Sequence, residues 1–245
     1  MLLTVRGAAA PEGTLAGRPL HFFRAPGGLF QALAPLPTEV EPGPAPLALS
    51  DGGAAVAAAL EILPASFRST TLDVPPRFLE PPAWAKARIA RDQVALGRAY
   101  AQPFGPPGFA APFALPRDAE RTGRYGDQRV YNGKTSGVHY GLDLSAPAGA
   151  PVEASNDGVV ALARDCYMSG KTVILWHGAG VYTAYLHLSR MLVKPGDKVR
   201  RGQKIGLVGS TGRSTGPHLH WGAKVDGLWV DPESLMRLDL AAAAR

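Results

Sequence analysis

The chain lacks several features that would place it in a common class of protein. Cys166 is the single cysteine among 245 residues, which excludes an internal disulfide and any cysteine-rich zinc or iron–sulfur site. The longest apolar run, AAVAAALEIL, is interrupted by Glu61 and is shorter than the roughly 18 residues that a membrane helix needs. We therefore predict no membrane span.

Charge is also scarce. Charged residues make up 19% of the chain, and the 26 lysines and arginines are scattered without a run of five or six. This distribution argues against a nucleic-acid partner, although the net charge of +6 suits an acidic polymer. The opening MLLTVRGAAAPEG has too short an apolar stretch for an export leader, so the chain is either cytosolic or has lost its leader.

Glycine and proline, in contrast, are abundant, at 29 and 23 residues. They indicate many turns and short strands, and therefore a mainly β protein. Short extended runs separated by such turns predict a small β-sandwich-like domain over residues 1–74. Within it, DGGAAVAAALEIL is compatible with a short helix or a strand, and His21 in the strand-like LHFF is interpreted as structural.

Residues 75–116 are predicted to be a linker. The stretch AWAKARIARDQVALGRAYAQ has no internal proline and predicts a helix, whereas PFGPPGFAAPFALPRDAE holds five prolines and predicts an extended arm. Residues 117–240 alternate strand-like runs with tight turns. No helix long enough for parallel crossovers is visible there, so we expect mostly antiparallel sheets.

Within this last region, four of the six histidines of the chain fall in three strand-like pieces, HYGLD, YLHLS and PHLHW. In an extended strand His218 and His220 share one face about 7 Å apart, and the same parity joins His139 to Asp143. A catalytic zinc site typically has three protein ligands and one open position. His139, Asp143 and one histidine of the HLH pair would supply them, and spacing alone does not choose between His218 and His220.

These motifs, followed by KPGDKVRRGQKIGLVGSTGRSTGPHLHW, resemble the LytM/lysostaphin-type zinc metallopeptidases, which hydrolyse peptide cross-bridges of bacterial peptidoglycan. The resemblance covers about residues 123–233 and implies an antiparallel β catalytic domain with one zinc ion. The zinc ligands that it implies are His139, Asp143 and His220. It also implies that His187 and His218 are catalytic histidines that do not bind the metal.

The resemblance extends to positions around this centre. Arg129 and Asn132 match a segment at the edge of the substrate groove, and Tyr185 shares a predicted strand face with His187, so all three are candidate groove residues. His177, in LWHGAG, matches a turn at a strand end and is expected to be structural. The glycines of VGSTGRSTGPHLH are expected to shape the cleft rather than react.

We therefore predict a zinc-dependent endopeptidase that acts on peptidoglycan peptides. The D-alanyl to diamino acid bond is favoured over a glycine bridge, because no glycine-binding module is visible. Such an enzyme works outside the cytoplasm, so we expect a monomer in the periplasm or cell envelope whose leader is absent from this sequence. The first domain weakly resembles one that precedes the catalytic domain in some exported relatives, and we hypothesise that it occludes the groove.

Two other functions are alternatives to a peptidase. A catalytically silent relative that binds cell-wall material and activates another hydrolase is one, but such proteins usually lack ligands or catalytic histidines. A biotinyl or lipoyl carrier domain is the other, suggested by the hairpin pattern of KPGDKVRRGQKIG. A carrier has no reason to retain His139, Asp143 and His220.

Overall fold

The computed structural model describes residues 1–109, 111–133 and 135–240. The first strands are β1 (Leu2–Val5), β2 (Glu12–Leu15), β3 (Arg18–Pro19), β4 (Phe22–Ala25), β5 (Leu29–Leu33), β6 (Gly43–Asp51), β7 (Ala54–Ile62) and β8 (Ser69–Leu72). Strands β1–β7 form two antiparallel sheets, ordered β1-β5-β4 and β3-β2-β6-β7. The apolar core that both sheets enclose contains Leu15, Leu20, Ala32, Ala34, Ala45 and Leu47.

The ambiguous segment DGGAAVAAALEIL is a strand. A turn at Gly52, whose φ is 65°, folds β7 back onto β6, and the two strands pair over their full length. Alanine favours helix in isolation, but nine paired positions along β6 outweigh that weak preference. Tertiary context therefore decides this element.

The predicted helix is present as α1 (Ala83–Ala99), after a 3₁₀ turn at Pro76–Phe78. Asp92 on α1 is 4% exposed and accepts hydrogen bonds from Arg164 Nε and from the backbone N–H of Tyr167, both at 2.8 Å. The helix is thus fixed to the sheet of the last region. Among the described residues no helix has the length and apolar character needed to cross a bilayer.

The remaining strands are β9 (Arg121–Gly123), β10 (Gln128–Tyr131), β11 (Thr135–Val138), β12 (Leu142–Ser145), β13 (Pro151–Glu153), β14 (Gly158–Cys166), β15 (Gly170–Trp176), β16 (Val181–Leu188), β17 (Arg190–Met191), β18 (Lys198–Val199), β19 (Lys204–Leu207), β20 (His218–Val225) and β21 (Leu228–Val230), followed by α2 (Pro232–Met236). The large sheet has the order β18-β14-β15-β16-β20-β12-β9, with β21 on β20. A small sheet, β13-β19-β17, contributes to the same core, which includes Leu142, Leu144, Val152, Tyr185, Ile205 and Trp221. The prediction of a mainly β, antiparallel protein is confirmed.

One strand pair runs parallel. Strand β8, which precedes α1, pairs in parallel with β10, and β10 pairs antiparallel with β11. The residues between β8 and β10 include α1, so this connection has the length that parallel pairing requires. The boundaries 1–74, 75–116 and 117–240 stay a prediction, but β8 and α1 both contact elements that follow residue 117.

Candidate metal and catalytic site

The four histidines that the sequence singles out meet in one groove of about 530 Å³. Strands β10, β12, β16 and β20 and the loop 208–217 contribute its walls. The histidines of this groove are His139, His187, His218 and His220. Residues that lie up to 81 positions apart in the chain are therefore brought within reach of one another.

The sheet register places the predicted ligands together. Asp143 on β12 lies directly opposite His220 on β20, and His139 precedes β12 by one short turn. That turn passes through Gly141, where an added Cβ would lie 2.5 Å from the ring of His220. Only glycine lets the backbone approach the imidazole this closely.

The three side chains are arranged as a ligand set. Nδ1 of His139 donates to the carbonyl oxygen of Arg124 at 2.8 Å, which leaves a lone pair on Nε2. That Nε2 lies 2.9 Å from Oδ1 of Asp143 and 3.0 Å from Nδ1 of His220, and the last two atoms are 3.0 Å apart. These three ligand atoms lie within 3.0 Å of one another, so a single divalent cation could be bound by all three. Two imidazole nitrogens and one carboxylate oxygen suit zinc.

The second carboxylate oxygen of Asp143 accepts a hydrogen bond from Arg129. Nη2 of Arg129 donates to Oδ2 at 2.9 Å, and both side chains are about one-tenth exposed. Burial alone would raise the pKa of the Asp143 carboxyl, but the adjacent imidazoles of His139 and His220 outweigh it and hold that pKa well below its usual range. Asp143 is thus an anion with one oxygen committed to Arg129 and the other directed at the ligand cluster.

The other two histidines share a different arrangement. Nδ1 of His187 donates to the carbonyl of Thr211 at 2.8 Å, and Nδ1 of His218 donates to that of Gly216 at 2.9 Å. In a neutral imidazole, such a hydrogen bond favours the tautomer with the proton on Nδ1, which leaves Nε2 as an acceptor. The rings lie 4.9 Å apart between centroids, and Nε2 of His218 is 3.7 Å from Oδ1 of Asp143.

His187 owes its position to an unusual backbone. Its φ of 63° is in the left-handed region, which a non-glycine residue adopts rarely. Burial, then the neighbouring His218 and His220, lowers the pKa of His187 to about 3, so the imidazole is neutral near pH 7. A neutral ring with a free Nε2 can accept a proton or a hydrogen bond.

Two of the predicted groove residues lie elsewhere. Tyr185 is completely buried, and its hydroxyl lies 2.7 Å from Oγ of Ser155 and 3.0 Å from Oγ1 of Thr183. The expectation that it shares a face with His187 is wrong, because the left-handed φ of His187 breaks the strand alternation. Leu186 lines the groove instead.

Asn132 and Arg129 have structural partners. The amide of Asn132 accepts from the backbone N–H of Val74 at 2.8 Å and donates to its carbonyl at 2.9 Å. It thereby fastens β10 to the segment after β8. Arg129 borders the groove but is only 8% exposed, with its Nη2 committed to Asp143. Their contact with substrate stays a prediction.

The first region reaches the groove in two places. Leu72 and Val74 line it, and Glu39 accepts a hydrogen bond from the hydroxyl of Tyr140 at 2.9 Å. Among the described residues, strands β1–β7 contribute no lining side chain. Occlusion of the groove by this domain stays a prediction, and the segment 72–74 is part of the groove wall.

Sequence reasoning missed Arg213. It lies in the loop whose glycines were expected only to shape the cleft, and its guanidinium carbon is 4.5 Å from the ring centroid of Tyr131 across the groove. A single cationic residue in the otherwise uncharged run VGSTGRSTGPHLH was the available signal.

Comparison with known proteins shows a similarity to one peptidase family. Residues 137–232, which contain the three predicted ligands and the two predicted catalytic histidines, match the model of peptidase family M23. The predicted resemblance to LytM/lysostaphin-type peptidases agrees with this similarity, which lies in the last region of the chain.

Named relatives match the same region. The peptidoglycan DD-endopeptidase ShyA of Vibrio cholerae serotype O1 is 47% identical over 106 residues, which is 43% of this chain and 24% of that protein. The DD-carboxypeptidase/endopeptidase Mpg of Neisseria meningitidis serogroup B is 48% identical over 98 residues, or 40% and 23% of the two chains. The chain spans about a quarter of the length of the curated relatives it matches.

A solved structure resembles the chain from end to end. The putative peptidase M23 from Pseudomonas aeruginosa superimposes with a TM-score of 0.71 and 28% identity, over 96% of this chain and 92% of that one. The N-terminal sheets, α1 and the segment that matches family M23 therefore have a counterpart in one solved structure.

Proposed function

We propose that this protein is a zinc-dependent endopeptidase that hydrolyses peptide cross-links of bacterial peptidoglycan. The observation that supports the proposal most directly is the geometry of the groove, where three candidate ligand side chains adjoin two histidines whose Nδ1 atoms are each bonded to a backbone carbonyl. A silent cell-wall-binding regulator is disfavoured, because all five positions are filled by residues able to act.

The residues of the site would have different roles in this reaction. His139, Asp143 and His220 would hold the zinc ion, and Arg129, which donates to Oδ2 of Asp143, would orient that carboxylate. When bound, zinc lowers the pKa of a water molecule and polarises the scissile carbonyl. Nε2 of His187 and Nε2 of His218 are the atoms placed to accept the proton of the attacking water and to return it to the leaving amine.

The substrate class follows from the relatives. ShyA is named a peptidoglycan DD-endopeptidase and Mpg a DD-carboxypeptidase/endopeptidase. We extend this to the present chain and propose the D-alanyl to diamino acid bond as its target. Peptidoglycan lies outside the cytoplasmic membrane, so the protein would act as a monomer in the periplasm or cell envelope, where its net charge of +6 suits an acidic polymer.

The test combines metal analysis with product analysis. Purified protein is loaded with zinc, and cross-linked peptidoglycan is digested and analysed by mass spectrometry. We expect about one zinc per chain and a fall in cross-linked peptides with a matching rise in monomers. Bound zinc with no new peptide ends from any cross-link chemistry would exclude the proposed activity.

A further inference from the structure

Arg213 crosses the groove next to the catalytic histidines. Its backbone N–H donates to the carbonyl of Met168 at 2.7 Å, and its side chain extends to the face of the Tyr131 ring. The half-buried guanidinium is therefore held between two walls of the groove. A cation over an aromatic face retains its in-plane N–H donors for another partner.

The loop that carries Arg213 is fixed relative to the reacting groups. Oγ1 of Thr211 accepts from the N–H of Lys171 at 2.9 Å and donates to the carbonyl of Leu188 at 2.8 Å. The carbonyl of the same Thr211 binds Nδ1 of His187. At Gly212, with φ of 74°, an added Cβ would overlap the backbone of Gly170. One rigid stretch thus positions both His187 and Arg213.

The charge of Arg213 is not compensated. The other arginine of the groove, Arg129, is paired with Asp143 at 2.9 Å. In the part of the chain that the structure describes, Arg213 forms no ion pair with an acidic side chain. A partly desolvated guanidinium presents a planar fork of donors that matches a carboxylate.

We propose that Arg213 binds a free carboxylate of the substrate, on the carbon that bears the scissile nitrogen. This inference rests on the proposed function and narrows its substrate class. In a cross-link to a diamino dicarboxylic acid, the acylated amine and a carboxylate share one carbon atom. A glycine bridge offers no charged group there. Arg213 therefore selects the direct cross-link over a glycine bridge.

The experiment uses two synthetic cross-linked peptides that differ in one group, a free carboxylate or a carboxamide next to the scissile nitrogen. The zinc-loaded wild type should cleave the carboxylate peptide with a kcat/KM roughly 10–100-fold higher. Arg213→Gln should remove most of that preference by slowing cleavage of the carboxylate peptide, with a much smaller effect on the carboxamide. Arg190→Gln, the same change at an exposed strand residue outside the groove, should keep the preference.

Binding of both peptides to the His218→Ala variant, with and without Arg213→Gln, separates the two proposals. A carboxylate preference in binding that depends on Arg213, without cleavage by wild type, supports the subsite and rejects the peptidase. If Arg213→Gln lowers kcat/KM equally for both peptides, the role of Arg213 is structural. If it raises kcat/KM equally for both, Arg213 only narrows the groove. Either result overturns the carboxylate subsite.

Discussion

His177 and His187 are two buried histidines at the ends of adjacent strands, and they differ in the environment of one nitrogen. Each directs Nδ1 at a backbone carbonyl, that of Asp157 at 2.6 Å and that of Thr211 at 2.8 Å. Burial lowers the pKa of His177 to about 4 and that of His187, with help from neighbouring histidines, to about 3.

The two histidines differ in the surroundings of Nε2. Nε2 of His177 lies 2.7 Å from Oγ1 of Thr183, so the ring is completely satisfied inside the core. Nε2 of His187 has no hydrogen-bond partner among the described residues and borders the groove. A satisfied ring stabilises the fold, whereas an unsatisfied one is free to bind substrate or move a proton.

The largest expected effects concern the two histidines of GPHLHWG. His220→Ala removes a ligand, so we expect loss of bound zinc and of all measurable turnover. His218→Ala leaves the ligand set intact and should keep about one zinc per chain while turnover falls by about 10²–10⁴-fold. Metal content and peptide cleavage are measured on the same samples. Equal zinc content and near-normal activity in both variants would reject these roles.

The comparison itself is tested by His187→Ala and His177→Ala. His187→Ala should lower turnover by about 10²–10⁴-fold with zinc retained and little change in unfolding free energy. His177→Ala should lower the unfolding free energy by about 2–4 kcal/mol, because it leaves a cavity and unpaired polar groups, yet keep activity per folded molecule. Denaturant unfolding and cleavage assays report both quantities, and a reversed pattern would break the comparison.

The pH dependence of the unfolding free energy provides a further test of the buried environment of His177. The pKa of His177 is 6.5 by reference and about 4 in the folded protein, so the unfolded chain takes up a proton first as pH falls. The unfolding free energy should therefore fall by about 3 kcal/mol as the pH decreases from 6.5 to 4.

Zinc-free protein is used for this measurement, so that metal release at low pH does not contribute. His177→Asn lacks the titration, and its unfolding free energy should fall by about 3 kcal/mol less than that of wild type over the same pH range. Parallel curves for the two proteins would show that His177 does not titrate as its burial requires.

The smallest effect is expected for Arg129, which contacts the predicted ligand Asp143 but is not itself a ligand. Arg129→Met leaves Oδ2 of Asp143 without its donor, and we expect zinc affinity to fall by about 10–100-fold with the ligands unchanged. Arg68→Met, which removes the neighbouring ion pair with Asp127, serves as the control and should leave zinc affinity unaltered. Competition with a chelator measures both, and equal affinities would remove Arg129 from the support of the metal.

Much of the molecule was accessible from the sequence. The glycine and proline content indicated a mainly β chain, and an uninterrupted periodic stretch indicated α1. Three ordered motifs predicted the ligands and catalytic histidines through their resemblance to a known family, since spacing alone did not choose between His218 and His220. These are local signals, carried by residues close together in the chain.

What only the tertiary structure decided depends on contacts between distant residues. Segment 54–62 is a strand because β6 pairs with it, and Tyr185 lies in the core because the backbone turns at His187. His21, isolated in the sequence, lies 2.8 Å from the carboxylate of Asp226, 205 positions away. Such partners are set by packing and sheet register, which depend on the whole chain. The sequence by itself therefore determined which reactive residue types the chain offers and their local patterns, and the fold determined which of them lie together and what holds them in place.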